Sequence, residues 1–317
     1  MQTAGLGSTR GERISRLAAS KRLIVMCLLF PAVASAVELI GTVTLLEGAA
    51  SLLRGPSRYA LAEGVRLEQG DILELGDKAL SQVEFTDGTI VDLAPQSRFV
   101  ILTYPAGAAK GAGAGELFLL QGWMKVSSSK QPNHVLGRYA SPLVELSSVD
   151  ATAVMQISAS EAAVFMESGD ARVAQISGSG RAADAIRIKG SQFLTCKPEQ
   201  RCVVAARPSQ AFLTALPRTF MDTLPSRLAK FKERNVAPKR SGDFTYAEVQ
   251  DWVNSVPPVR RAMVTHWQSK LGDPAFRSAI AAGLKDHPEW DRLINPEKYE
   301  HPPLSGKNSQ PQVSGTK

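Results

Sequence analysis

Cysteine, histidine, aromatic side chains and long apolar runs are all scarce in this 317-residue chain, and each scarcity excludes something. Three cysteines are too few for a disulfide-framed scaffold. The four histidines, His134, His266, His287 and His301, include no pair at metal-ligand spacing, so no metal site is expected. The signatures G-x-S-x-G, H-E-x-x-H, the phosphate-binding Walker loop and the dinucleotide fingerprint are missing. Gly111-Ala112-Gly113-Ala114-Gly115 lacks the lysine and the following helix of a phosphate loop. Glu84 and Asp92 lie on outward strand positions and read as a solvated face. No catalytic residue, cofactor or enzymatic activity is therefore expected. The composition, 44% hydrophobic and 21% charged, suits a folded soluble protein and is too polar for a multi-span membrane protein. Aromatics at 6% beside 25 glycines lean toward a turn-rich β protein.

Charge of one sign is also less abundant than the formal +7 suggests. The first 36 residues hold five Lys/Arg and one Asp/Glu, which leaves only +3 on the remainder. That is too little for a nucleic-acid footprint. The basic residues Arg10, Arg13, Arg16, Lys21 and Arg22 precede an apolar run from Leu23, and Ala34-Ser35-Ala36 supplies a small-x-small cleavage pattern. This is the layout of a secretory signal peptide over residues 1–36, with a periplasmic mature chain from Val37. The competing reading is an uncleaved anchor, the only route to the membrane here. The 14 apolar-run residues from Leu23 to Ala36 fall short of the ~20 that span a bilayer.

With Cys27 inside that segment, Cys196 and Cys202 remain for the exported chain. Six positions apart around Pro198, they predict a small disulfide loop pinning a hairpin. From Leu39 to about Ala206 apolar residues alternate with period two between Gly, Pro and Asp-Gly breaks, which predicts many short strands. They include 39–46, 50–54, 72–75, 97–103, 116–120, 122–127, 143–147, 152–158, 161–167, 171–176, 185–189 and 192–196. Val83 and Phe85 share one face before Thr86-Asp87-Gly88-Thr89, and Val91 and Leu93 share one after it. Asp-Gly there predicts a tight hairpin with both central residues at positive φ. Asp71 and Asp87 read as turn residues, and Gly70, Gly76 and Gly88 as suppliers of positive φ. The architecture is a sandwich, with a β-solenoid as the alternative.

Several of these motifs occur in a familiar order: Gly41-Thr42-Val43, Gly64-Val65-Arg66-Leu67, Gly70-Asp71-Ile72-Leu73, Gly76, Ser81 to Phe85, Asp87-Gly88-Thr89 and Leu93-Ala94-Pro95-Gln96-Ser97. The chain resembles the FecR-like domain of bacterial envelope proteins over 41–103, and more loosely to about 190. The resemblance implies a mainly β domain over 37–207, an antiparallel sandwich or jelly-roll-like fold, in the periplasm. The best-known members of that family sense transporter occupancy and regulate an extracytoplasmic sigma factor. Two departures limit the transfer. About 22 residues precede the apolar run, too few for a sigma-binding domain, and Ser148 to Ala153 stands where the family has a G-T-x-F strand.

After Arg207 the pattern becomes helical, predicting a small α-helical region over 208–300 and a disordered tail over 301–317. A short basic helix is expected after Leu224-Pro225, with Lys239 to Asp243 as a linker. Thr245-x-x-Glu248 is a capping box. Pro257-Pro258 opens a second helix, and Asp273 caps a third with Pro274 at its first position. Trp252, Trp267 and Trp290 fall one per helical segment. They read as a helical mini-core or, more sharply, as contacts for a partner or a sugar. Three functions follow: an envelope sensing or scaffolding module that binds another protein, a peptidoglycan or carbohydrate binder, or a hydrolase of unrecognised site.

Overall fold

The computed structural model describes residues 39–105, 115–129, 137–150, 152–222 and 224–300. The expectations for the signal segment, the Gly/Ala-rich loop tip, His134, His301 and the tail lie outside those residues. Eighteen strands are present among the described residues. The first nine are β1 (Gly41–Glu47), β2 (Ala50–Arg54), β3 (Ser57–Ala60), β4 (Arg66–Leu67), β5 (Ile72–Leu75), β6 (Leu80–Phe85), β7 (Ile90–Leu93), β8 (Arg98–Thr103) and β9 (Glu116–Ser127). Then come β10 (Arg138–Ala140), β11 (Val144–Ser147), β12 (Thr152–Ile157), β13 (Ala162–Ser168) and β14 (Asp170–Gln175). The last four are β15 (Ile186–Lys189), β16 (Phe193–Cys196), β17 (Val203–Ala205) and β18 (Lys239–Asp243). The helices are α1 (Gln210–Ala215), α2 (Tyr246–Val253), α3 (Pro257–Trp267), α4 (Pro274–Ala282), α5 (Asp291–Ile294) and α6 (Glu297–Glu300).

The strands form one connected, mainly antiparallel sheet that folds over on itself at β9. One layer runs β4-β1-β6-β7-β9-β12-β13-β16-β17. The other runs β18-β3-β2-β5-β8-β9-β10-β11-β14-β15. Among the described strands the one parallel pairing is β9 with β10, and the isolated Val65–Val236 bridge is parallel as well. The first half of β9 pairs with β8, and its second half pairs with β7 and β12. The turnover is at Gly122, whose φ is +97°. Ser97 lies against it, its Oγ 2.9 Å from both the amide and the carbonyl of Trp123. A side chain at 122 has no room, because a Cβ there would stand 2.5 Å from Ser97 Cα.

Period-two alternation explains the layering. Val43, Val83, Val91, Met124, Met155 and Val164 from one layer meet Leu52, Leu73, Phe99, Leu117, Leu146 and Val173 from the other in the central core. The strand residues of opposite parity face outward, and the C-terminal third of the chain covers them on both sides. Leu53, Ile72, Val100, Leu102 and Phe118 share a second core with Trp252, Met263, Trp267, Phe276 and Trp290 of the helical region. On the opposite face Val154, Ala163 and Phe193 pack under Phe212 of α1 and Phe220. The helical region is thus docked on the sandwich, with no separate interior.

Helix signals in the sequence match local structure. The Glu248 carboxylate accepts the Thr245 amide at 2.8 Å, and Asp273 caps α4 through the Ala275 amide at 2.9 Å. Two expectations change. Lys239–Asp243 is no linker but a strand, paired with β3. The expected basic helix after Pro225 is only a 3-10 turn over Leu228–Phe231, anchored by Phe231 and by Arg66, which donates to the Phe231 and Lys232 carbonyls.

Candidate interaction site

The residues singled out from the sequence scatter across this frame. Cys196 and Cys202 are bonded, with Cα atoms 4.2 Å apart, and close the turn between β16 and β17. Gln175 of the opposite layer holds that turn, its amide donating to the carbonyls of Lys197 at 3.1 Å and Gln200 at 2.6 Å. Trp252, Trp267 and Trp290 are at most 1% exposed. None offers a ring face to a sugar or a partner, so that reading is corrected: all three are packing residues of the second core. The Trp252 indole N–H donates to Glu74 at 3.2 Å, tying α2 to β5.

The turn residues hold more than turns. Asp71 is 1% exposed and grips Arg54 in a bidentate pair at 2.8 and 2.6 Å, while accepting the Glu68 amide at 2.8 Å. Burial lifts its carboxyl above the ordinary range, against the pull of Arg54. Gly70 has φ +89° and lies under the His266 ring of α3. In the β6–β7 hairpin only Gly88 has positive φ (+87°). The Gly88 amide donates to the Phe85 carbonyl at 3.0 Å and the Phe85 amide to Thr89 at 2.9 Å. The turn is therefore a type I turn with a glycine bulge, not the doubly positive turn expected. The Asp87 carboxylate accepts the Thr89 amide at 2.9 Å. Gly76 does not have positive φ. It is small because Ala49 O would lie 3.0 Å from a Cβ.

Alternation does not reveal the polar strip on the outer face of β6, β7 and β9. Gln82, Glu84, Asp92 and Lys125 are all at most 7% exposed, so reading Glu84 and Asp92 as a solvated face is corrected. They do point away from the central core, but the segment after α1 lies over them. Lys125 Nζ donates to the Phe220 carbonyl at 2.6 Å and pairs with Glu167 at 3.0 Å. Glu84 accepts the Arg227 amide at 2.6 Å and the Ser226 hydroxyl. Gln82 bridges Thr44 and Asp92. Burial pushes the Asp92 carboxyl up to about 6, with Gln82 and Lys125 opposing. These charges act as clasps for the covering segment. The only sequence signal for them was charge at regular outward positions, which a solvated face shares.

One open surface with a cavity and grouped apolar residues lies at the β15 and β17 end of the sandwich. A cavity of about 530 Å³ lies between the β10–β11, β14–β15 and β16–β17 connections. Leu143, Ile176, Ala182 and Pro198 line it, with Arg181 and Arg201. Beyond it, Val203 and Val204 are 63% and 40% exposed, and Ile186 of β15 is 39% exposed. No group of three His, Cys, Asp or Glu among the described residues could hold a metal ion. Both ring nitrogens of buried His287 are already engaged, by Asn254 and the Ile280 carbonyl.

No protein-family model matches the chain, and no curated protein matches it. Among solved structures it is similar to two crystal structures of a protein assigned as an anti-sigma factor, from Parabacteroides distasonis. The first aligns at 12% identity and a TM-score of 0.37, the second at 11% and 0.36. Each alignment covers 45% of this chain and 63% of that one, less than two thirds of its length. At that distance the likeness does not extend to activity.

Proposed function

We propose that the protein is an exported, non-enzymatic binding module of the cell envelope that serves in sensing or scaffolding by holding another protein. One observation carries this reading. The chain covers both outer faces of its sandwich with its own C-terminal third and leaves one end open, with a cavity and exposed valines beside it. Exposed apolar side chains grouped at one place mark an interaction surface. The Cys196–Cys202 bond suits an oxidising compartment, in keeping with the signal-peptide layout of the N-terminus. A glycan-binding reading used the sandwich face or the tryptophan cluster; the C-terminal third covers residues of both outer faces, and the packing buries those tryptophans.

The test is osmotic-shock fractionation with thiol alkylation, followed by chemical crosslinking of the tagged full chain in cells. The expected result is a periplasmic protein whose two cysteines resist alkylation until reduced, crosslinked to a discrete envelope protein. A cytosolic protein with alkylatable cysteines, or an exported one with no protein adduct, would overturn the proposal.

A further inference from the structure

Among the described residues the sheet has four outer strands, and three of them are covered or blunted. At one end of the first layer, Arg66 of β4 donates to the Phe231 and Lys232 carbonyls, and Val65 bridges to Val236. At one end of the second layer, β18 reads Lys-Arg-Ser-Gly-Asp, with Lys239, Arg240 and Asp243 exposed. At its other end β15 alternates Ile186 and Ile188 with Arg187 and Lys189. Charges on an edge are how sheets avoid adding a foreign strand. The fourth edge, β17, is Val-Val-Ala, exposed at every residue, and among the described residues it pairs only with β16. Its backbone groups on the far side and its valines are open to an incoming strand.

The surroundings of β17 say what would fit. Arg201 precedes the strand and Arg207 follows it, both exposed. Arg181 and Arg201 stand at the cavity that the β16–β17 turn helps to form, against one acidic lining residue, Glu199. Lys197 is paired with Glu161 at 3.6 Å, whereas Arg181, Arg201 and Arg207 have no ion pair among the described residues. A second copy of this chain fits badly. Two β17 strands paired antiparallel about Val204 would set Arg201 of each opposite Arg207 of the other, and like charges directly opposite are destabilising.

Resting on the binding-module reading above, we infer that β17 is a strand-addition site. Its occupant is an extended segment of a partner protein that alternates apolar with acidic residues. Main-chain hydrogen bonds to the β17 edge supply affinity, and the alternate side chains supply selectivity. The acidic residues meet Arg201 and Arg207, and an apolar residue enters the cavity beside Pro198 and Ile176.

The test selects a random 12-residue peptide library on the purified, disulfide-intact full chain, then measures the enriched peptides by fluorescence anisotropy. The expected peptides alternate Val, Ile or Leu with Asp or Glu. Their affinity should fall at least tenfold in Val203→Glu/Val204→Glu and in Arg201→Glu. It should hold in Leu213→Glu, at an exposed apolar position on α1. All these positions are exposed, so each variant should keep the parent melting temperature. Absence of enrichment, enrichment of basic peptides, binding that survives the β17 variants, or a dimer by sedimentation would overturn the inference. The parent reading is judged separately. If Val203→Glu/Val204→Glu still crosslinks to an envelope protein in cells, the module stands and strand addition falls. If the unaltered chain captures no protein, the module reading itself falls.

Discussion

Lys125 shows how much a single buried charge can organise. It is 2% exposed and holds Glu167 together with the carbonyls of Phe220 and Asp222. Lys125→Ala leaves those acceptors unpaired and opens a void. The expected cost is about 3 kcal/mol in a urea titration, toward the low end for a broken buried pair because Glu167 is partly exposed. Lys125→Met, which refills the volume, should recover about 1 kcal/mol of that loss. Across the β7–β9 ladder, Asp92 gives a pH signature. It faces Lys125, with Glu84 and Glu167 nearby. Its folded-state pKa of about 6 lies above the ordinary carboxylate value, so the native state binds a proton that the unfolded chain releases. Stability from this group is therefore fully present below about pH 4 and lost as pH rises through about 6. The loss amounts to about 3 kcal/mol. Asp92→Asn keeps the Gln82 contact and should flatten the urea midpoint over that window. At this scale the sequence was legible for the disulfide and the caps, whose signals are local. It was misleading for Glu84 and Asp92, because a strand's outward face does not say whether a later segment will cover it.

The decisive element is β9, one strand serving two layers. Its sequence reads as two strands broken at Gln121-Gly122, and the structure makes them one strand bent at Gly122. Gly122→Ala combines positive φ with a clash against Ser97 backbone and should cost about 2–4 kcal/mol. Gly178→Ala, where nothing lies within 4 Å of the added carbon, should leave the thermal midpoint unchanged. Most strand boundaries were readable to within one or two residues because hydrophobic alternation is a local record of two-sided burial. Those missed, β3, β4, β10, β17 and β18, have little alternation of their own. They are strands because a neighbouring edge offers hydrogen bonds, as Ser57–Ala60 offers them to Lys239–Asp243.

At the scale of the whole molecule, the C-terminal third is structural. A chain ending at Arg207 would bare Leu53, Ile72, Val100, Leu102 and Phe118 on one face and Val154 and Phe193 on the other. It should aggregate or lose its cooperative melt, read by gel filtration and circular dichroism. The sequence shows the switch from period two to helical spacing at that point. It does not show that the helices dock, because their apolar faces and the strands' outer faces are equally consistent with separate cores. That docking leaves Ile186, Val203 and Val204 exposed together at the β15–β17 end, while Leu39, Leu213, Met221 and Tyr299 are exposed singly at other positions.

The most direct test of this account is site-specific photo-crosslinking in cells. The crosslinker is placed in turn at Ile186, Val203 and Val204 at the open end, and at Leu213, Met221 and Tyr299, which are exposed elsewhere. The account predicts adducts with one discrete envelope protein from the first three positions and none from the others. Adducts confined to Leu213, Met221 or Tyr299, or spread evenly over all six, would contradict it.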